Sequence, residues 1–140
     1  MRICIDSCIF IRGIQTSDTI IRQLIKSVGP SCHLYIPRLV AQEVTRNLHS
    51  PKQVRQFYRL FHRTSFAFII DDPVPENLFS KYAALGLPAK ADAFIGAFAE
   101  WMGARYLISD NRHFLRDLQA DAFEVVDAET FLARWETRTL

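Results

Sequence analysis

Short apolar runs alternate along the chain with longer stretches in which hydrophobic residues recur every three or four positions. The runs Arg2–Asp6, His33–Ile36, Phe66–Ile70, Tyr106–Ser109 and Glu124–Val126 are brief and rich in Ile, Val, Leu and Phe. That pattern predicts strands buried on both faces of a parallel sheet. Helices are expected over Ser17–Val28, Pro37–Leu48, Pro51–Arg63, Pro75–Leu85, Pro88–Gly103 and Ala128–Trp135. Pro37, Pro51, Pro75 and Pro88 stand at their starts, and Gly29, Gly86 and Gly103 at three of their ends. The alternation predicts an α/β fold, a three-layer α/β/α sandwich with a mostly parallel sheet of about five strands. No repeat or Pro/Gly/Ser-rich linker divides the chain, so residues 1–140 are expected to form a single domain. In such sheets function gathers at the carboxyl ends of the strands, near the point where strand order reverses.

Polar groups at those ends are therefore the first candidates. Asp6 closes the first strand in Ile-Cys-Ile-Asp-Ser; taken alone it also reads as an Asx-turn or a helix cap. Glu43 is the only acidic residue between Asp18 and Asp71, and by itself it reads as a solvated surface residue. Asp92 falls past the first turn of its predicted helix, which argues against an N-cap role. At helical spacing it shares a face with Ile95, Gly96, Ala99 and Gly103, a small-residue stripe suited to packing closely on a sheet. A carboxylate there must be paired or bound to metal, because desolvating it alone is expensive; a salt bridge to Lys90 or Arg105 is the simpler alternative. Asp110 and Asn111 follow the fourth strand, which ends at Ser109, and for these three residues helix capping is the competing role.

Composition adds limits. Hydrophobic residues make up 49% and charged residues 23% of the chain, which excludes disorder and collagen-like repeats. The net charge of +2 announces no nucleic-acid binder, so a basic footprint has to be local. Cys4, Cys8 and Cys32 form no CxxC pair and no zinc-like spacing. They are expected as small buried apolar groups in a reducing cytoplasm. No uncharged stretch of about 18 residues suits a membrane span, and a cytoplasmic location is expected.

A local basic footprint does exist. Lys52, Arg55, Arg59 and Arg63 follow i, i+3, i+7 and i+11 on one predicted helix, opposite Val54, Phe57, Tyr58 and Phe61. The stripe reads either as a solvated face or as a contact for an RNA phosphate backbone. Phe114, Phe131 and Trp135 read as core, and His113 as a helix-start hydrogen-bonding group or a phosphate contact.

If Asp6, Glu43, Asp92 and Asp110 converge, charge becomes decisive. Two carboxylates about 4 Å apart repel by roughly 4 kcal/mol at an effective dielectric near 20, so four would not all stay ionised without a cation. Oxygen-only ligands favour Mg²⁺ or Mn²⁺, and a carboxylate-bound Mg²⁺ suits phosphodiester hydrolysis.

On these residues the chain resembles the PIN-domain ribonucleases, and among them the small VapC-type proteins of prokaryotic toxin–antitoxin systems. Ile5-Asp6-Ser7 resembles the family's first-strand Asp with its following Ser or Thr. Glu43 falls where the family has an acid on the helix after strand two. Lys90-Ala-Asp92-Ala-Phe-Ile95-Gly-Ala-Phe-Ala99 resembles its Asp-x-x-Ile-x-x-x-Ala helix, and Ser109-Asp110-Asn111-Arg112-His113-Phe114 its segment after strand four. The usual acid of that last segment stands two residues after the Ser or Thr. Here that position holds Asn111, with the carboxylate one residue earlier at Asp110.

The resemblance implies a Mg²⁺- or Mn²⁺-dependent endoribonuclease with Asp6, Glu43 and Asp92 holding metal. Asp110 or Asn111 completes the site, and Ser7 and Ser109 support it. It also implies in-line attack by water leaving a 5′-phosphate and a 3′-hydroxyl, an antitoxin that blocks the acidic cleft, and a homodimer. Two other readings stand beside it. One is a signalling receiver domain phosphorylated on Asp71 or Asp72, although a single Asp follows the first strand and no Lys follows the fifth. The other is a degenerate PIN module, suggested by Asn111, that binds RNA or a partner without cutting.

Overall fold

Strand β1 (Arg2–Ile5) lies at the centre of a five-stranded sheet, with Ile3, Cys4 and Ile5 at most 2% exposed. The structure, a computed structural model, describes residues 1–87 and 90–138. The other strands are β2 (His33–Pro37), β3 (Ala67–Ile70), β4 (Tyr106–Ile108) and β5 (Glu124–Val126). Their order is β3-β2-β1-β4-β5, and every pairing is parallel. Helices flank the sheet in a three-layer α/β/α arrangement. Burial on both faces is why β1 and β4 read as unbroken apolar runs, while the edge strands β3 and β5 keep exposed positions at Phe68 and Glu124.

The eight helices among the described residues are α1 (Ser7–Thr16), α2 (Thr19–Lys26), α3 (Arg38–Arg46), α4 (Pro51–Arg63), α5 (Glu76–Ala83), α6 (Lys90–Trp101), α7 (Arg112–Asp117) and α8 (Ala128–Glu136). Two of them, α1 and α7, lie outside the expected segments. The α1 segment was hidden by Cys8-Ile9-Phe10-Ile11, a continuous apolar run with no helical period. Helix α2 starts later than expected because Asp18 caps it, accepting from the amides of Ile20 and Ile21. Pro51 occupies the first turn of α4 behind the cap Ser50, whereas Pro37 and Pro75 stand just before α3 and α5. Pro88 lies outside the described residues. Gly86 and Gly103 adopt φ of +75° and +66° after α5 and α6, as glycine stops should, while Gly29 lies beyond the end of α2, bridged to Cys32.

The strand order reverses at β1. Chain order runs outward from β1 to β2 and β3, then returns to the other side of β1 with β4 and β5. Cys4 pairs with Leu107 and Ile5 with Ile108. The Asp6 amide donates to Ile108 O at 2.9 Å, extending the ladder past the end of β1. The carboxyl ends of β1 and β4 thus form the switch point, and Asp6 and Ser109 stand on it. In this order β3 is an edge strand. Asp71, just beyond it, is exposed and bonded to Arg38 at 2.7 Å. A receiver domain's order, 2-1-3-4-5, places the third strand inside the sheet, so the topology speaks against that reading.

Candidate active site

Asp6 is the deepest of the candidate acids, 5% exposed. Its Oδ1 accepts from the Ser7 amide at 2.8 Å, capping α1, and its Oδ2 accepts from Ser109 Oγ at 2.8 Å. The cap role and the buried-acid role therefore coexist. Ser109, fully buried, also accepts from the Asn111 amide at 2.9 Å, and so ties the β4 turn to the first strand's carboxylate. Burial pushes the Asp6 pKa above the usual carboxylate range, against the bonds from Ser109 and Ser7, and the charge of Asp92 adds to the rise.

Glu43 on α3 and Asp92 on α6 face the same cleft. Its lining is Asp6, Ser7, Cys8, Glu43, Ala91, Asp92, Ile95, Asp110 and Asn111, around about 410 Å³. Both acids are half-buried. The Asp92 pKa is raised first by burial; proximity to His113 lowers it and Glu43 raises it. Asp92 lies in the first turn of α6 as described, rather than past it. The competing ion pair with Lys90 or Arg105 does not form among the described residues. The small-residue stripe also packs differently from expectation. A Cβ on Gly96 would stand 2.8 Å from Tyr82 Cδ1, so that glycine admits the ring of α5 rather than the sheet. Gly103 lies past the helix, exposed.

Asp110 and Asn111 reach the cleft with prior engagements. Asp110 Oδ2 accepts from Arg12 Nη1 at 2.6 Å. Asn111 caps α7, its Oδ1 accepting from the His113 amide at 2.9 Å. Two cleft neighbours were not foreseen. Cys8, expected as a buried apolar group, is half-buried with Sγ 3.8 Å from Asp6 Oδ2 and 3.7 Å from Ser109 Oγ. Burial and then the Asp6 charge push its thiol up to about 11. Arg12 was invisible as a site residue because its partners, Asp18, Asp110 and Glu129, are scattered along the chain.

All the donors but the thiol are hard oxygens, the set that suits Mg²⁺ or Mn²⁺. Among the described residues no three His, Cys, Asp or Glu side chains are placed closely enough to hold a metal ion together as they stand. An open array of carboxylates fits an ion that keeps several of its waters.

The basic stripe lies elsewhere. Lys52, Arg55, Arg59 and Arg63 are all exposed and rim a groove of about 740 Å³ between α1, α2 and α4, joined there by Arg22 and Lys26. Phe57 and Phe10, in T-shaped contact at 5.2 Å, help to floor it. Phe114 and Phe131 are core residues, and Trp135 stacks on Phe131.

Solved structures of the same architecture exist. VapBC-1 from nontypeable Haemophilus influenzae matches with a TM-score of 0.68 at 17% identity, over 92% of this chain and 99% of that one. VapBC2 from Rickettsia felis, bound to a DNA fragment from its promoter, matches at 0.67 and 16%, over 91% and 98%. A toxin–antitoxin complex from Klebsiella pneumoniae matches at 0.63 and 17%, over 89% and 96%. The chain has the PIN-like fold. No protein-family model and no curated protein matches it in sequence, so the likeness lies in the fold. In this PIN-like fold Asp6, Glu43, Asp92 and Asp110, brought from separate parts of the chain, share one cleft at the sheet's switch point. No described helix is long and apolar enough to cross a membrane.

Proposed function

We propose that the protein is a Mg²⁺- or Mn²⁺-dependent endoribonuclease and the toxin of a toxin–antitoxin pair. The observation that carries this reading is the convergence of Asp6, Glu43, Asp92 and Asp110 on one cleft. The fold shared with the toxin–antitoxin structures supports it. Asp6, Glu43 and Asp92 are the proposed metal-holding residues; Asp110 and Asn111 are the two candidates for a further donor beside them.

The chemistry such an ion supplies is a water of lowered pKa and neutralisation of charge at the phosphodiester. The chain's own part is to orient and exclude. Ser109 and the Ser7 amide fix both oxygens of Asp6, so that carboxylate arrives with its direction set. Glu43 and Asp92 come from two helices and tolerate each other's charge only at a cost that a cation removes. Ile95 and Ala91 give the cleft an apolar wall. Cleavage is proposed to leave a 5′-phosphate and a 3′-hydroxyl. Lys52, Arg55, Arg59 and Arg63 are proposed to hold the RNA backbone. The proposed protein partner is an antitoxin that covers the cleft, and the proposed assembly is a homodimer.

The test is cleavage of a labelled RNA by purified protein in Mg²⁺ or Mn²⁺, compared with Asp6→Asn and Asp92→Asn. Cutting by the wild type that both substitutions abolish is the expected result. Undiminished cutting by Asp92→Asn ends the assignment. RNA binding that depends on salt, ignores metal and comes without cutting would favour the degenerate module instead.

A further inference from the structure

Arg12 reaches three carboxylates at once. Nη1 donates to Asp110 Oδ2 at 2.6 Å, Nη2 to Glu129 Oε1 at 3.1 Å, and Nε stands 3.2 Å from Asp18 Oδ2. Each partner belongs to a different element. Asp18 is held by its Oδ1, which caps α2, Asp110 sits in the β4–α7 turn, and Glu129 lies in the first turn of α8. The Arg12 and Asp110 side chains are only 28% and 30% exposed. Nε is buried without a well-aligned acceptor, so the guanidinium is wedged among acids rather than swinging in solvent.

This divides the cleft. Asp110 brings a charge already matched by Arg12, whereas Asp6, Glu43 and Asp92 have no ion-pair partner among the described residues. Asp110 Oδ1 carries no hydrogen bond among the described residues, but a cation held there would share its carboxylate with the Arg12 guanidinium bonded to Oδ2. The cation would also lie within a carboxylate's width of a guanidinium that never deprotonates. We infer that Arg12 is a positioning residue that withdraws Asp110 from cation binding, so that the cleft takes a single divalent ion on its Asp6–Glu43–Asp92 side. The inference rests on the metal-dependent reading above and names which of its donors are used.

Titration of the full chain with Mn²⁺, with free ion read by electron paramagnetic resonance, tests it. One Mn²⁺ per chain is expected for the wild type, and Arg12→Lys should keep that count. Arg12→Gln, which leaves Asp110 unmatched, should bind a second ion. Asp110→Asn should keep one ion with affinity changed less than about threefold, against the roughly 10–100-fold loss expected of a group that holds or orients the metal. Two ions on the wild type, an unaltered count in Arg12→Gln, or a tenfold loss in Asp110→Asn overturns the inference. Should thermal melting show Arg12→Gln unfolded, Asp110→Asn decides. Asp92→Asn separates the parent reading: at least tenfold weaker binding supports it, and unchanged binding fells it and this inference together.

Discussion

The acidic cleft and the basic groove use charge in opposite ways. The groove is larger, about 740 Å³ against 410 Å³, but its cations are exposed side chains on helix surfaces. They retain their hydration and conformational freedom, and suit a partner that brings many diffuse negative charges. In the cleft the acids stand on the scaffold: Asp6 at the end of β1, held by the Ser7 amide and the Ser109 hydroxyl, and Asp92 in the first turn of α6. Their charge is costly because they are withdrawn from water and placed near one another. The smaller cavity therefore carries the stronger chemical demand, and volume says little about where reaction would occur.

The sharpest way to break this contrast is Asp6→Asn, for which RNA cleavage is expected to fall by about 1000-fold or more, measured as single-turnover rate in Mn²⁺. A loss below tenfold would place the chemistry outside the cleft. On the groove side, Phe57→Ala removes a ring that is 2% exposed and packed on Phe10, Tyr58 and Phe61. It should cost about 3–4 kcal/mol in urea unfolding. Reversing Lys52, Arg55, Arg59 and Arg63 to Glu should reduce the salt dependence of RNA affinity by about three in log–log slope, or more. An unchanged slope would remove RNA from the groove.

The smallest expected effect is thermal. Burial raises the pKa of Asp92 in the folded state. Between the ordinary aspartate pKa and that raised value the native state binds more proton than the unfolded chain, so stability falls as pH rises through the window. Asp92→Asn removes the penalty. In metal-free buffer its melting temperature should exceed the wild type's by on the order of 1–2 °C at pH 7, with the gain vanishing below about pH 4. A lower melting temperature at neutral pH would mean the carboxylate is stabilised where it stands.

Much of this was legible from local pattern. The central strands β1 and β4 appear as apolar runs because the parallel sheet buries both their faces, and the basic stripe of α4 is visible in its helical spacing. Helix α1 was not, because four apolar residues in succession match neither period, and α7 is only six residues long. The four acids could be nominated from their places at strand ends and on helices. Their engagements could not. Arg12 meets Asp110 across 98 positions and Glu129 across 117, and nothing in the local composition announces such a pairing. Asn111 could be read as a ligand or a cap, and the bond to the His113 amide is a cap.

The pairing of Cys4 with Leu107 has a consequence for the order of synthesis. The first acid is made almost at once, yet the hydroxyl that steadies it, Ser109, follows more than a hundred residues later. A chain emerging from the ribosome thus holds Asp6 for most of its translation without the strand that completes its surroundings. Under the proposed function, cleavage would begin only once β4 has been made and Ser109 has docked against Asp6.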